Sequence, residues 1–370
     1  MSSVDRSGAG TSGADRDDEA RRARVRAILA AAARVVDARD PIGEEARRVL
    51  PVATGLSREG VELALARHVE TTVTDADLDR LVARAGAAPR VHVVLSANVF
   101  AGAVRAIALA VGASDDVAVR PSSREAAMVP LLHRALADAV RPPFRVVDAL
   151  FAAPGDVIHV YGRAETIASI ERESPAGVRV LGHGPGFGIA FVGAPPVDVA
   201  AAAECLSWDV VAFDQRGCMS PRIALVSGSE EDVERFAERL ADELEARERD
   251  VPRGRFCDDD RRAGALYRRT AAAIHRCHEG PTFAVGVDPA PRALPLPPPG
   301  RHVHVARAFA PADFERLLGP FRGAITCVGR AGVDEAIGAL LATAPGARSL
   351  PLGSMQSPPL DGPVDLRGVL

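Results

Sequence analysis

Lysine is absent from all 370 residues, so every basic side chain other than histidine is an arginine. That absence excludes a Schiff-base lysine and the lysine of a Walker phosphate loop. Cysteine is sparse and scattered, since Cys205, Cys218, Cys257, Cys277 and Cys327 form no CxxC pair. Neither a disulfide framework nor a zinc site of paired thiolates is expected from such spacing. His275, Cys277 and His278 lie close together without a carboxylate or a second pair, so they read as helix surface and no metal is expected. Residues Met1 to Asp18 are rich in Ser, Gly and Asp and lack the apolar segment of a signal peptide or membrane anchor. They read as a disordered tail of a cytoplasmic chain with no membrane span. The net charge of −4 supplies no general attraction for nucleic acid or anionic lipid, and no internal repeat of short period is visible.

What is present is an ordinary globular composition, 47% hydrophobic and 25% charged, over a length that accommodates two domains. From Glu19 to Asp37, Val25, Ile28, Leu29, Ala32, Val35 and Val36 fall on one helical face with arginines opposite. Ser57 and Thr74 are N-cap candidates for two further helices, Arg58 to Val69 and one opening with Asp75 and Asp77. From Arg90 the texture changes to short apolar runs alternating with helical patterns. Strands are expected at Val91 to Leu95, Val117 to Arg120, Phe144 to Asp148, Val157 to Tyr161, Val178 to Leu181 and Ile189 to Val192. Helices are expected at Phe100 to Val111, Arg124 to Val140 and Ala164 to Glu171. A second alternating block has helices at Val199 to Leu206, Glu230 to Arg247 and Arg262 to His275. Its strands are expected at Ile223 to Val226, Thr282 to Val287, His302 to Ala306 and Ala324 to Val328. Alternation on this scale implies parallel βαβ units and an α/β fold with two doubly wound lobes. The expected division is a tail over 1–18, a helical lead-in over 19–89, a dinucleotide-binding domain over 90–198, a catalytic domain over 199–350 and a C-terminal tail over 351–370.

One cysteine stands apart, because Cys218 lies in the loop FDQRGCMSP, Phe213 to Pro221, between an apolar run and a strand. An unpaired cysteine in an Ala- and Val-rich chain is commonly a small buried hydrophobe. A loop cysteine near backbone N–H groups and arginines such as Arg216 and Arg222 can instead have a lowered pKa and serve as a nucleophile.

Four segments in order carry a resemblance. LSANVFAGAVRAIALAVGASDDVAVRPSS (Leu95 to Ser123), VYGRAETIASI (Val160 to Ile170), VRVLGHGPGFGIAFVG (Val178 to Gly193) and FDQRGCMSP resemble corresponding segments of the aldehyde dehydrogenase superfamily. Within it, Ser96 to Val99, Gly182 to Pro185, the Phe-Asp-Gln before Cys218, Cys218 to Pro221 and the closing LGSMQSPPL of Leu352 to Leu360 look like the long-chain acyl-CoA reductases of luminescent bacteria, the LuxC type. The likeness runs from about Ser57 to Asp361.

The resemblance implies an aldehyde dehydrogenase-like fold and an acyl-CoA reductase. Cys218 would take an acyl group from acyl-CoA or another acyl thioester, and Asn98 would hold the oxyanion; Asn98 as a helix cap is the structural alternative. His183 would protonate a leaving group, against a purely structural place in its Gly-Pro turn. Arg120, Ser122, Ser123 and Arg124 at a strand end would meet the adenine ribose. Ser123 stands where an acid would favour NAD, so NADPH is expected over NADH. Gly162 and Arg163 would lie under the cofactor pyrophosphate. An acyl-transferring partner protein and a homo-oligomer are compatible with this reading. Two departures matter. Val180 replaces the glutamate that activates water in the hydrolysing enzymes, and Arg316 replaces the glutamate that holds the nicotinamide ribose, with Glu315 beside it. A CoA-dependent aldehyde or semialdehyde dehydrogenase, and a shortened non-catalytic partner subunit, remain the alternative readings.

Overall fold

The computed structural model describes residues 13–97, 99–137, 141–194, 197–308, 310–332 and 336–367. Four helices lead in: α1 (Gly13–Val36), α2 (Pro41–Thr54), α3 (Arg58–Arg67) and α4 (Asp75–Ala85). The expected apolar stripe of α1 is its buried face, with Val25, Ile28, Ala32 and Val35 fully enclosed. Gly13 to Asp18, expected in a disordered tail, continue this helix; Met1 to Ser12 lie outside the described residues. Ser57 and Thr74 cap α3 and α4 as anticipated, accepting from Gly60 N and Asp77 N. Helix α2 escapes the sequence reading because Gly43 and Pro51 interrupt its pattern. Gly43 is required by packing, since a Cβ there would fall 1.9 Å from Asp37 O.

Next come β1 (Val91–Val94), α5 (Gly102–Ala113), β2 (Val117–Arg120), α6 (Met128–Ala135), β3 (Arg145–Val146), β4 (Val157–Tyr161), α7 (Ala164–Glu173) and β5 (Arg179–His183). The strands form a parallel sheet in the order β3-β2-β1-β4-β5. Helix α5 and the lead-in helices cover one face in a common core, while Ile167 and Ile170 of α7 pack on the other. The chain order reverses between β1 and β4, which opens a crevice at the carboxyl ends of the strands.

The second lobe contains β6 (Phe187–Val192), α8 (Val199–Val211), β7 (Pro221–Val226), α9 (Glu230–Asp250), α10 (Asp258–Ile274), β8 (Arg276–Glu279), β9 (Ala284–Asp288), β10 (His302–Arg307), α11 (Pro311–Leu318), β11 (Ile325–Ala331), α12 (Ala336–Thr343) and β12 (Arg348–Pro351). Its sheet runs β12-β11-β6-β7-β10-β9-β8, parallel except for the β8–β9 pair. Cys277 and His278, expected on a helix surface, lie on edge strand β8. Strand β6, expected in the first lobe, pairs with β7 and β11 instead. Its Phe187, Ile189 and Phe191 enter one core of this lobe and Ala190 and Val192 the other. The chain therefore crosses between the lobes at Gly184 to Gly186, ahead of the expected boundary at 198.

The C-terminal segment does not trail away. Arg105, buried on α5, donates to Pro358 O, Pro359 O and Gly362 O, and Arg348 donates to Val364 O. Residues past β12 are thereby drawn back across both lobes.

Candidate active site

The FDQR stretch that precedes Cys218 is a rigid turn rather than a flexible loop. Phe213, Asp214 and Gln215 all take left-handed backbone angles, with φ of 52°, 51° and 63°. Such conformations are costly without glycine and persist only where surrounding contacts fix them. The contacts are present. Asp214 accepts from Arg301 Nε at 3.1 Å, Arg301 NH2 at 2.8 Å and Gly254 N at 3.0 Å. Gln215 is fully buried; its amide donates to Pro221 O (2.6 Å) and His302 O (2.7 Å) and accepts from His302 N (2.9 Å). Phe213 packs edge-on against Phe100. Arg216 donates to Thr54 O and Arg255 O.

Cys218 follows this turn and is half-buried. Thr326, buried on β11, donates to Cys218 O and fixes the backbone on its far side. Burial pushes the thiol up to about 11, Asp365 adds to the rise, and Arg367 opposes it. The direction is opposite to the lowering that neighbouring arginines can produce. Arg216 is turned toward Thr54 and Arg255, and Arg222 toward Pro297 O, so neither supplies the compensating charge.

The loop of Cys218 faces the carboxyl edge of the five-stranded sheet. Val99, just past β1, would lie 3.4 Å from a Cβ at Gly217. Tyr161, at the end of β4, lies within electrostatic range of both Cys218 and Asp365. Its ring stacks on His183 at the end of β5, with centroids 4.2 Å apart. His183 Nε2 and His159 Nδ1 are 3.0 Å apart, so one ring donates to the other. Burial lowers His183 to about 4 and His159 to about 3. His183 is therefore neutral at physiological pH, and its side chain is engaged with its neighbours rather than with a turn carbonyl.

Of the other sequence-derived candidates, Asn98 lies outside the described residues. Arg120 ends β2; Ser122, Ser123 and Arg124 follow it, with Ser122 Oγ accepting from Arg124 N. Gly162 and Arg163 follow β4 and open α7, where Arg163 takes the N-cap position without a side-chain cap bond. The structure thus brings these six to one edge of one sheet, the edge that Cys218 faces. Helix α7 leaves its first N–H groups without a side-chain cap, and the exposed Ser123, Arg124 and Arg163 leave the edge open, a fit for a dinucleotide phosphate. Arg316 is held by Pro291 O, Arg292 O and Asp313, and Glu315 pairs with Arg322. Neither is directed to a ribose by these contacts.

Sequence reasoning missed Tyr161 and His159, though their alternation on one strand was a readable sign that both face the same way. It had no signal for Asp365 and Arg367. Arg367 reaches Gly184 O, Pro185 O and Gly323 O and pairs with Asp365, so the C-terminal segment clamps the crossing between the lobes.

The acyl-CoA reductase (LuxC) family model matches residues 77–276, more than half of the chain. No curated protein matches the sequence. Among solved structures, an oxidoreductase from Marinobacter aquaeolei is similar with a TM-score of 0.70 at 11% identity, covering 91% of this chain and 79% of that one. An NAD-dependent benzaldehyde dehydrogenase from Corynebacterium glutamicum follows at 0.65 and 16%, over 91% and 81%. An NADP-dependent glyceraldehyde-3-phosphate dehydrogenase from Bacillus halodurans gives 0.63 and 13%, over 90% and 78%. At these identities the likeness establishes the two-lobed aldehyde dehydrogenase fold.

Proposed function

The chain belongs to the acyl-CoA reductase (LuxC) family, and from that premise we propose that it reduces an acyl-CoA to the aldehyde through a thioester on Cys218, with NADPH as reductant. The observation that carries the proposal is the approach of a rigidly held cysteine loop in one lobe to the carboxyl edge of the other lobe's sheet. A cofactor at such an edge lies beside whatever the cysteine holds.

Cys218, once ionised, attacks the thioester carbon; the new S–C bond replaces the bond to CoA sulfur, which leaves as the thiolate and takes a proton. The Asn98 amide and the Cys218 backbone N–H would hold the oxygen as charge develops, and one such donor is worth ~3 kcal/mol. A bound reduced nicotinamide supplies the hydride. Cys218 then departs as thiolate from the resulting thiohemiacetal, releasing aldehyde. Val180, half-buried on β5, offers no carboxylate for activating water, which supports a CoA thiol as the partner of the acyl-enzyme. Around the cofactor, Arg120 and Arg124 suit a 2′-phosphate, and the start of α7 with Gly162 and Arg163 suits the pyrophosphate.

The test is intact-protein mass spectrometry after mixing with a panel of acyl-CoAs without reductant. An acyl adduct mapped to Cys218, absent in Cys218→Ala, is expected. An adduct on Cys205, Cys257, Cys277 or Cys327 instead would sink the assignment.

A further inference from the structure

The closing LGSMQSPPL segment is pinned beside the nucleophile loop by a single carboxylate. Asp209, buried on α8, accepts from Gly353 N at 2.6 Å, from Met355 N at 2.9 Å and from the backbone of Gln356. Met355 is fully enclosed, against Gly188 and Gly329. With its backbone committed in this way, the turn presents the Gln356 side chain to the residue before Cys218. A Cβ at Gly217 would lie 3.1 Å from Gln356 Oε1 and 3.2 Å from Ser220 Oγ, so any larger residue there would crowd both side chains.

Two glutamines in this neighbourhood are treated differently. Gln215 satisfies its amide with three backbone bonds and serves as scaffold. Gln356 Nε2 is buried and has no hydrogen-bond partner among the described residues, and the same holds for Ser220 Oγ. A buried donor left unpaired is unfavourable, and a catalytic or ligand-binding role is one reason a folded chain keeps one. Both groups are neutral, which suits a carbonyl oxygen better than a phosphate. Arg367, whose charge acts on Cys218, and Arg105, whose charge acts on Tyr161, are committed to backbone carbonyls and to Asp365 and Glu70.

We propose that Gln356 Nε2, flanked by Ser220 Oγ, donates to the carbonyl oxygen of the acyl group carried on Cys218. Gln356 is then a further catalytic residue, contributed by the C-terminal segment. This rests on the thioester reading above and adds a substrate contact to it.

The experiment uses the full chain with octanoyl-CoA and no reductant, following acylation of Cys218 by mass spectrometry in wild type, Gln356→Met and Gln356→Leu. Both variants stay uncharged and remove the donor. Acylation is expected to slow by ~10²-fold in each, the loss typical of one oxyanion donor. Alkylation of Cys218 by iodoacetamide, which needs no acyl carbonyl, is expected to stay within about two-fold. Equal acylation in wild type and variants overturns the inference and leaves the thioester reading intact. Alkylation falling in parallel with acylation also overturns it, by showing that Gln356 only shapes the loop. A wild type that takes no acyl group overturns both.

Discussion

The ionisation of Cys218 is the most direct physical test of the site. Burial raises its thiol from 9.0 to about 11, and Asp365 contributes in the same direction. Two units correspond to ~2.7 kcal/mol disfavouring the thiolate in the free protein. At pH 8 only ~10⁻³ of the molecules would then carry the reactive form, and the alkylation rate should climb about ten-fold per pH unit from pH 8 to 10. The assay is iodoacetamide labelling across that range, with the Cys218 peptide quantified by mass spectrometry so that the other four cysteines do not enter. Exposed Cys257 serves as internal reference within the same molecules. A Cys218 rate that levels off below pH 8 would refute the reasoning, because it would mean that the folded chain already stabilises the thiolate. Confirmation would place activation of the nucleophile in the ligand-bound state, when substrate and cofactor change what surrounds the sulfur.

Further outcomes follow from the same contacts. Asp365→Asn removes a negative charge that raises the Cys218 thiol, so the labelling curve should move to lower pH, whereas Arg367→Gln should move it higher; unchanged curves in both would show that the C-terminal segment does not act on the sulfur. Arg301→Met strands the Asp214 carboxylate, 1% exposed, without its main partner, and should cost ~3–5 kcal/mol in urea unfolding; a loss under about 1 kcal/mol would contradict the role given to this pair. With Ser123 and two arginines at the end of β2, NADPH should exceed NADH by ~10-fold in kcat/KM, or ~1.4 kcal/mol, and Arg120→Ala should abolish the preference; equal turnover with NADH would refute it.

Much of the architecture was legible because it is written in short windows. Val117–Arg120 and Val157–Tyr161 fall where apolar runs between helical patterns place them, and Ser57 and Thr74 announce their helices by capping chemistry. The family likeness and the loop of Cys218 were equally local. What the sequence could not determine by itself depends on partners distant along the chain. A strand pattern in Phe187–Val192 does not say which sheet it will join, and only pairing with β7 and β11 places it in the second lobe. The sign of the Cys218 shift came out opposite to the local reading, since desolvation is set by what folds around the sulfur and not by arginines next to it in sequence. His183 is likewise defined by its stack on Tyr161 and its bond to His159. Asp365, Arg367 and Gln356 reach the site only because Asp209, Arg105 and Arg348 draw the C-terminal segment back across the lobes. Local periodicity fixes which segments are helix or strand, whereas burial and charge at a site are sums over the whole folded chain, so only the tertiary structure decides them.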